Sequence, residues 1–273
     1  MNVFAPQATA QAAIDRLTEI YEASVASFPW SAFLGLGIGL AACSAAQAPT
    51  ASSSDGGASG NSADDGQVKS FAHVDEQGQI LGVGVVVPVK SFETVPDMDP
   101  AFQNAVGVEM PATVRDKTFI QLLRINWLAA GHGPGPYHAP HFDLHFYRGT
   151  MAEVTAITCP ATDPFPANIL ASGYETPSTC VGGMGYHAWP STDIESNTFS
   201  ASIILGYAAQ KMVFIEPMIT QEVLLSRKSF ELAITRPESA GGAATLFPSH
   251  LTVTYAAATD TYEIEFDHFE PID

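Results

Sequence analysis

Apolar and polar residues alternate along much of the chain from residue 67 onward. The runs 67–75 and 78–88 are rich in β-branched residues and flank a short turn-like segment, and the run 141–147, HFDLHFY, alternates strictly. Alternation with a period of two is typical of a β-strand, because successive side chains point to opposite faces of a sheet. We therefore predict three strands in these runs.

Two further pairs of apolar runs predict β-hairpins, because only a few residues separate the members of each pair. The first pair spans 197–207 and 211–217, and the second spans 249–257 and 260–269. The long apolar run 119–130 leads into a Gly- and Pro-rich loop, and we predict that its second half is a strand.

Helical spacing of apolar residues is convincing only in two segments, 111–123 and 220–232. Strands therefore dominate the predicted elements, and no internal repeat accompanies them. The resulting prediction is a mainly-β fold, an antiparallel barrel or sandwich with a few short helices.

The N-terminal quarter of the chain has a different composition. Residues 28–42 are apolar and uncharged, and their length suits the core of a signal peptide better than a membrane span. They end in Leu-Ala-Ala before Cys43, which resembles a bacterial lipobox, in which the cysteine receives a lipid. Residues 44–66 contain mainly Ser, Ala, Gly and Asp, and predict a disordered tether.

These features divide the chain into a leader (1–42), a tether (43–66) and a mainly-β domain (67–273). We expect a lipoprotein of the bacterial cell envelope, periplasmic or surface-facing, attached to the membrane through a lipid on Cys43. A signal peptide usually begins with a short basic segment. In this chain the segment before residue 28 is long and contains a single basic residue, Arg16. A start codon placed too far upstream would explain that segment, and an uncleaved buried helix is the alternative.

Three cysteines occur in the chain, and lipidation of Cys43 would leave Cys159 and Cys180 as a pair. In the oxidising environment of an exported protein, such a pair predicts a disulfide. Closing a loop of about 20 residues in this way contributes roughly 3 kcal/mol to stability in the chain-entropy model. Two unrelated free thiols are the alternative.

The composition allows a large core, with 46% hydrophobic and 15% charged residues. The formal net charge of −18 argues against binding to nucleic acid, because a phosphate backbone attracts basic surfaces. It also argues against electrostatic binding to anionic lipid. An acidic surface that keeps the protein soluble accounts for most of this charge.

Half of the eight histidines lie in one short segment, between His132 and His145. In the predicted strand 141–147, one face is expected to contact the core and carries Phe142, Leu144 and Phe146. The opposite face carries His141, Asp143, His145 and Tyr147. Imidazole and carboxylate groups on one face suit a divalent transition metal such as Zn, Fe, Mn or Cu.

Strand geometry limits which of these side chains can share one metal ion. Residues two apart in a strand lie about 7 Å apart and residues four apart about 13 Å, whereas a metal–nitrogen bond is about 2.1 Å long. We therefore predict that Asp143 shares an ion with either His141 or His145, while the third side chain orients a ligand. Tyr147, on the same face, is expected to support the site or to contact a ligand.

Further metal ligands are expected from two distant segments. His187 lies in a Gly-rich turn beside aromatic residues, and Glu216 ends an apolar run just before Pro217. A buried carboxylate is costly unless a metal or an imidazole pairs with it. His132, in the Gly- and Pro-rich loop, could cap the site. The alternative is that these histidines satisfy ordinary hydrogen bonds and that Glu216 is a turn residue.

The segments 131–147, 183–190 and 198–220 together resemble a bacterial family of unknown function, the TTHB-type hypothetical-protein family with a Thermus prototype. The blocks that carry the resemblance are GHGP, PHFDLHFY, MGYH and FIEPMIT, and it extends over residues 67–225. The resemblance implies a mainly-β domain that is often exported and can form a homo-oligomer. It implies no particular reaction.

Position by position, the motif histidines and acids of this family fall on His132, His141, Asp143, His145, His187 and Glu216. His138 lies outside the pattern, so we exclude it from the predicted site. The segment leading into His132 is less polar than the family pattern.

Three functions are compatible with the sequence. The first is a binding protein whose His/Asp/Glu cluster holds a divalent metal or a small ligand. The second is a metal-dependent enzyme, a hydrolase or an oxygenase, that uses the same cluster. The third is a structural or stress protein of the envelope in which the histidines only pair with one another. An enzyme needs an open coordination position and a nearby acid or base, for which His132 or Glu216 would serve.

Overall fold

The described part of the chain begins where the first predicted strand begins. The computed structural model of the protein describes residues 67–93, 106–160, 166–175 and 179–273. The predicted leader and tether, with the lipobox cysteine Cys43, lie outside these residues. No helix within the described ranges is long and apolar enough to cross a membrane.

Strands are the main elements of the described residues. They are β1 (Lys69–Val74), β2 (Ile80–Pro88), β3 (Val106–Glu109), β4 (Leu122–Leu128), β5 (His141–Tyr147), β6 (Cys180–Val181), β7 (Gly185–Ala188), β8 (Ala201–Ala208), β9 (Lys211–Thr220), β10 (Phe230–Ala233), β11 (Thr245–Phe247), β12 (His250–Ala256), β13 (Thr261–Asp267) and β14 (Glu270–Ile272). The α-helices are short: α1 (Lys90–Glu93), α2 (Ala112–Arg115), α3 (Met151–Thr155), α4 (Ser191–Ser196) and α5 (Gln221–Leu225). The predicted mainly-β class with a few short helices is confirmed.

The strands form two main antiparallel sheets. One sheet has five strands in the order β1-β2-β13-β12-β10, and the other has seven in the order β3-β4-β5-β9-β8-β7-β6. One of the sheets curls into half a barrel, and β11 and β14 pair as a separate ribbon. Both predicted hairpins are present, as β8–β9 and β12–β13.

Aromatic and aliphatic residues form a core between the two sheets. The rings of Phe146 on β5 and Phe266 on β13 have centroids 4.7 Å apart, and both side chains are fully buried. Phe142 packs in a similar way against Phe92 of α1, with centroids 4.9 Å apart. Because each buried side chain of this size contributes about 1.5–3 kcal/mol, the apolar face of β5 is fixed toward this core.

A second, smaller apolar cluster lies on the opposite face of the seven-stranded sheet. Its members include Tyr137, Tyr147, Ile204, Phe214 and Met218. Alternation along β9 explains how one strand serves both cores, since Ile215 faces the main core whereas Phe214 and Met218 face the second cluster. Glu216 lies between these last two residues, and the cluster buries it to 1% exposure.

The two predicted helices are much shorter than their apolar spacing indicates. Segment 111–123 is helical only at Ala112–Arg115, and segment 220–232 only at Gln221–Leu225. Leu122 and Leu123 enter strand β4 instead, and Phe230 and Leu232 enter β10. Strand β4 pairs with β3 on one side and β5 on the other, and this pairing outweighs the local helical spacing.

Candidate metal centre

Strand β5 places three of the predicted ligands on one face. His141, Asp143 and His145 alternate with its core residues, as predicted, and are 0%, 4% and 1% exposed. Strands β4 and β9 flank β5 on either side. The second apolar cluster covers this polar face, so the structure buries side chains that an open strand would present to water.

His132, His141 and Asp143 form a first set of potential ligands, which we call group A. Nε2 of His141 lies 3.0 Å from Oδ1 of Asp143, and Nε2 of His132 lies 3.7 Å from Oδ2. Nδ1 of His141 donates to the carbonyl of Ala139 at 2.6 Å, and Nδ1 of His132 donates to the carbonyl of Gly133 at 2.7 Å. A carbonyl oxygen only accepts, so each ring carries a proton on Nδ1 and directs Nε2 at the carboxylate.

The loop between β4 and β5 brings His132 into group A. Gly131 has a φ of +62°, and a Cβ atom there would lie 2.2 Å from the carbonyl oxygen of Tyr137. The backbone N–H of His132 donates to the same carbonyl at 2.9 Å and closes the loop. Only glycine tolerates this backbone angle and this close approach together, so Gly131 is needed to position the imidazole that follows it.

His145, His187 and Glu216 form a second set, which we call group B, from strands β5, β7 and β9. Nε2 of His145 lies 3.4 Å from Oε1 of Glu216, and Nε2 of His187 lies 3.9 Å from Oε2. Nδ1 of His187 donates to the carbonyl of Gly185 at 3.1 Å. In each group, one ligand atom from every residue lies within 4.8 Å of the others, a spacing that permits a shared ion.

Phe214 packs against both imidazoles of group B. Its ring centroid lies 4.9 Å from that of His145 and 5.0 Å from that of His187. Gly206 pairs with Phe214 across β8 and β9, and a Cβ atom at Gly206 would lie 2.0 Å from the phenyl ring. The missing side chain at Gly206 therefore gives this ring its space. Tyr147 stacks on His145 with centroids 5.6 Å apart.

Burial sets the protonation of group B. It lowers the pKa of His145 to about 3 and the pKa of His187 to about 4, despite the opposing charge of Asp143. Both rings are therefore neutral at pH 7, the state in which imidazole binds a metal. Burial also raises the pKa of Glu216 well above its ordinary value, and the neighbouring Asp143 carboxylate raises it further.

Asp143 connects the two groups. Burial alone would raise its pKa, but the adjacent imidazoles of His132 and His141 hold that pKa below its usual range. The charge of Asp143 acts on the carboxyl group of Glu216, which lies on the paired strand β9. Groups A and B therefore adjoin, and their six side chains offer two neighbouring ion positions.

Several buried polar atoms of this centre lack a hydrogen-bond partner of acceptable geometry. They include both ring nitrogens of His145, both carboxyl oxygens of Glu216, Nε2 of His141 and Oδ1 of Asp143. An unpaired buried polar group costs about 1–3 kcal/mol, and a charged one costs more. All of these atoms are metal-ligating types, so bound cations would satisfy them together.

A cavity of about 650 Å³ opens onto the centre. His132 and Asp143 of group A and His187 of group B line it, so both groups face the cavity. Most of the remaining wall is apolar and comes from Leu128, Pro134, Tyr137, Val181, Met184, Trp189, Ile204 and Met218. A small molecule in the cavity could therefore reach ligands of both groups.

The structure brings all the predicted site residues together, with two differences in how they group. Of the two pairings predicted for Asp143, the structure has the one with His141, whereas His145 belongs to group B. His132, expected only to cap the site, offers a ligand atom of its own in group A. His138 is exposed and belongs to neither group.

Two polar residues of β4 next to the site were not predicted from the sequence. Arg124 and Asn126 are 6% and 2% exposed and pair in register with the site residues of β5. The sequence does mark them, because they are the two polar residues, two positions apart, in the otherwise apolar run 122–128. The guanidinium of Arg124 interacts with the Tyr147 hydroxyl and adds a buried positive charge beside group B.

The predicted disulfide partners lie at bonding distance. The Sγ atoms of Cys159 and Cys180 are 2.15 Å apart, and their Cα atoms are 5.7 Å apart. Cys180 begins β6, and its neighbours Thr179 and Val181 line the cavity. The pair therefore ties this part of the cavity wall to the segment that follows α3.

Another set of potential ligands lies on the five-stranded sheet. His250, Asp267 and His268 bring ligand atoms within 4.8 Å of one another. The side chain of His268 is 68% exposed, and its Nδ1 pairs with Asp267 at 2.6 Å. Water solvates this surface set, so it lacks the buried, unpaired ligand atoms that distinguish groups A and B.

No family model, no curated protein and no solved structure matches this chain. A functional assignment therefore depends on the fold and the centre described above. They define a mainly-β protein whose seven-stranded sheet carries two adjoining groups of potential metal ligands beside a cavity.

Proposed function

We propose that the protein binds divalent transition-metal ions at group B and at group A, as a two-ion centre. One observation carries this proposal. The neutral ring of His187 directs its Nε2 lone pair at Glu216, whose oxygens are both buried without a hydrogen-bond partner, as are both nitrogens of His145. Facing lone pairs repel one another unless a proton or a metal ion lies between them, and these are the atoms that a transition metal prefers.

The hydrogen bonds that the histidines make through Nδ1 favour the same assignment. Metal-ligating histidines usually donate their other ring N–H to a carbonyl or carboxylate, which fixes the tautomer. His132, His141 and His187 each donate Nδ1 to a backbone carbonyl and keep Nε2 for the centre. Imidazole and carboxylate ligands in this ratio suit Zn, Fe, Mn or Cu.

A metal-dependent enzyme is the second candidate function, and the cavity favours it. Each group supplies three protein ligands, the number typical of catalytic rather than structural zinc sites. A bound ion would supply an activated water or a polarised oxygen at the cavity surface. His132 is the partly exposed imidazole that lines this surface and could move a proton there.

We also propose that the protein is exported and held at a membrane by a lipid on Cys43. The lipobox-like sequence before Cys43 supports this proposal, as does the spacing of Cys159 and Cys180, which suits a disulfide in an oxidising compartment. Incorporation of labelled palmitate in the wild type and its loss in Cys43→Ala is the expected result. An unlabelled wild type would overturn the proposal.

The homo-oligomer and the family membership that the sequence resemblance implies stay predictions.

Elemental analysis tests the metal proposal directly. We would purify the full chain without a polyhistidine tag, together with a His145→Ala/His187→Ala variant and a His250→Ala/His268→Ala control. We expect about two ions per chain in the wild type and the control, as in other two-metal sites, and a clear loss in the group B variant. Metal-free wild type after reconstitution with Zn, Mn, Fe and Cu salts would refute the proposal.

A further inference from the structure

The cavity beside the metal centre has walls of two kinds. His132, Asp143 and His187 present nitrogen and oxygen atoms to it, whereas Met184, Ile204 and Met218 present apolar surface. Its volume of about 650 Å³ falls within the range of small-molecule sites, which is about 300–1,000 Å³. An occupant should therefore combine one polar group with an apolar body.

The charge of a filled centre favours an anion. Two divalent ions would bring four positive charges, of which the carboxylates of Asp143 and Glu216 neutralise two. Buried Arg124 adds a further positive charge. A buried excess of positive charge is costly unless a negative group compensates it.

The described residues that line the cavity include neither Lys nor Arg. An anion that enters the cavity must therefore depend on the metal ions for its charge partner. A phosphate would need several N–H donors, which this mostly apolar wall does not provide. A carboxylate needs fewer, and its oxygens are suitable ligands for divalent transition-metal ions.

We infer that the cavity binds a small aliphatic monocarboxylic acid, with its carboxylate at the metal centre and its chain against Met184, Ile204 and Met218. This inference rests on the proposed metal binding. The acid would be the substrate or cargo of the same centre.

Calorimetric titration of the full chain with octanoate and with octanamide tests the inference, because the two probes share a chain and differ in charge. We expect octanoate to bind the metal-loaded protein, and to bind the metal-free protein at least about tenfold more weakly, a difference of roughly 1.4 kcal/mol. Octanamide should bind as weakly as octanoate binds the metal-free protein.

A pair of threonine variants tests the position of the acid. Thr179 is exposed at the cavity wall and ligates nothing, so Thr179→Trp should obstruct the cavity and weaken octanoate binding while metal content stays unchanged. Thr254→Trp, on an exposed position of β12, is the control and should bind octanoate like the wild type.

Metal analysis of the titrated samples separates the two proposals. Loaded protein that binds both probes equally, or neither, would overturn the inference and leave the metal centre standing. Octanoate that binds equally well with and without metal would also overturn it. Protein that takes up no metal would refute the proposed function and this inference with it.

Discussion

Asp143 on β5 and Glu216 on the paired strand β9 interact electrostatically, and both are almost completely buried. The adjacent imidazoles of His132 and His141 hold the pKa of Asp143 below its usual range, against the effect of burial. Burial and the Asp143 charge raise the pKa of Glu216. Without metal, burial and mutual repulsion therefore disfavour ionisation of both carboxyl groups together, and a bound cation would relieve that repulsion.

Replacing Glu216 by Gln should separate metal binding from stability. The amide keeps the shape but loses the charged ligand, so we expect metal affinity to fall by more than about tenfold, the lower end for loss of a metal-site group. The metal-free variant should be as stable as the wild type or more stable, because an amide costs less to bury than a carboxyl group under charge repulsion. Elemental analysis and urea unfolding would measure both, with exposed Glu263→Gln as the control. Undiminished metal content in Glu216→Gln would contradict the assignment of group B.

The metal-free protein should lose stability on acidification, and His145 should account for part of the loss. Its pKa is about 3 in the fold and 6.5 in an ordinary environment. Between these values the unfolded chain binds a proton that the folded chain does not, so the free energy of unfolding falls as pH falls, by up to about 1.4 kcal/mol per pH unit. Glu216, with its raised pKa, acts in the opposite direction above pH 4.5 and offsets part of this slope.

Comparing the unfolding free energies of His145→Gln and the wild type across pH isolates the contribution of His145. His145→Gln should flatten the urea-unfolding stability profile between pH 4.5 and 6 by roughly one proton relative to the wild type. Parallel profiles would show that His145 does not titrate as its burial requires.

Gly206→Ala should disturb group B by displacing the ring of Phe214. The new methyl group would lie 2.0 Å from the ring of Phe214, which packs against His145 and His187. We expect a loss of about 1–3 kcal/mol in unfolding free energy, as for other overpacked cores, together with weaker metal binding. Gly182→Ala is the matched control, because a Cβ atom there meets nothing within 4 Å. Equal stability of the two variants would show that Phe214 has room to move.

Removing the Cys159–Cys180 bond should destabilise the protein by about 3 kcal/mol, because the bond closes a loop with a sequence separation of 21. Urea unfolding of Cys159→Ser/Cys180→Ser would measure the loss. A reductant should lower the stability of the wild type by a similar amount and leave the double variant unaffected. Wild type that is insensitive to reductant, with both thiols reactive, would show that the bond does not form.

The local sequence pattern by itself determined part of this centre. The strict alternation of residues 141–147 is enough to place His141, Asp143 and His145 on one face of a strand, because the two-residue period of a strand is a property of the backbone. The same reasoning predicts the two hairpins, whose strands are close in sequence. It fails at 111–123, where an apolar run with helical spacing enters a sheet that the segment alone does not contain.

Only the tertiary structure decided which residues share an ion. His145 reaches His187 and Glu216 because the sheet order is β5-β9-β8-β7, an arrangement of strands far apart in the chain that no local pattern encodes. Strand spacing by itself favours neighbours two residues apart, and so it left Asp143 to share an ion with either His141 or His145. The second apolar cluster also arises from distant residues, and by excluding water it converts a polar strand face into a buried set of unpaired ligand atoms.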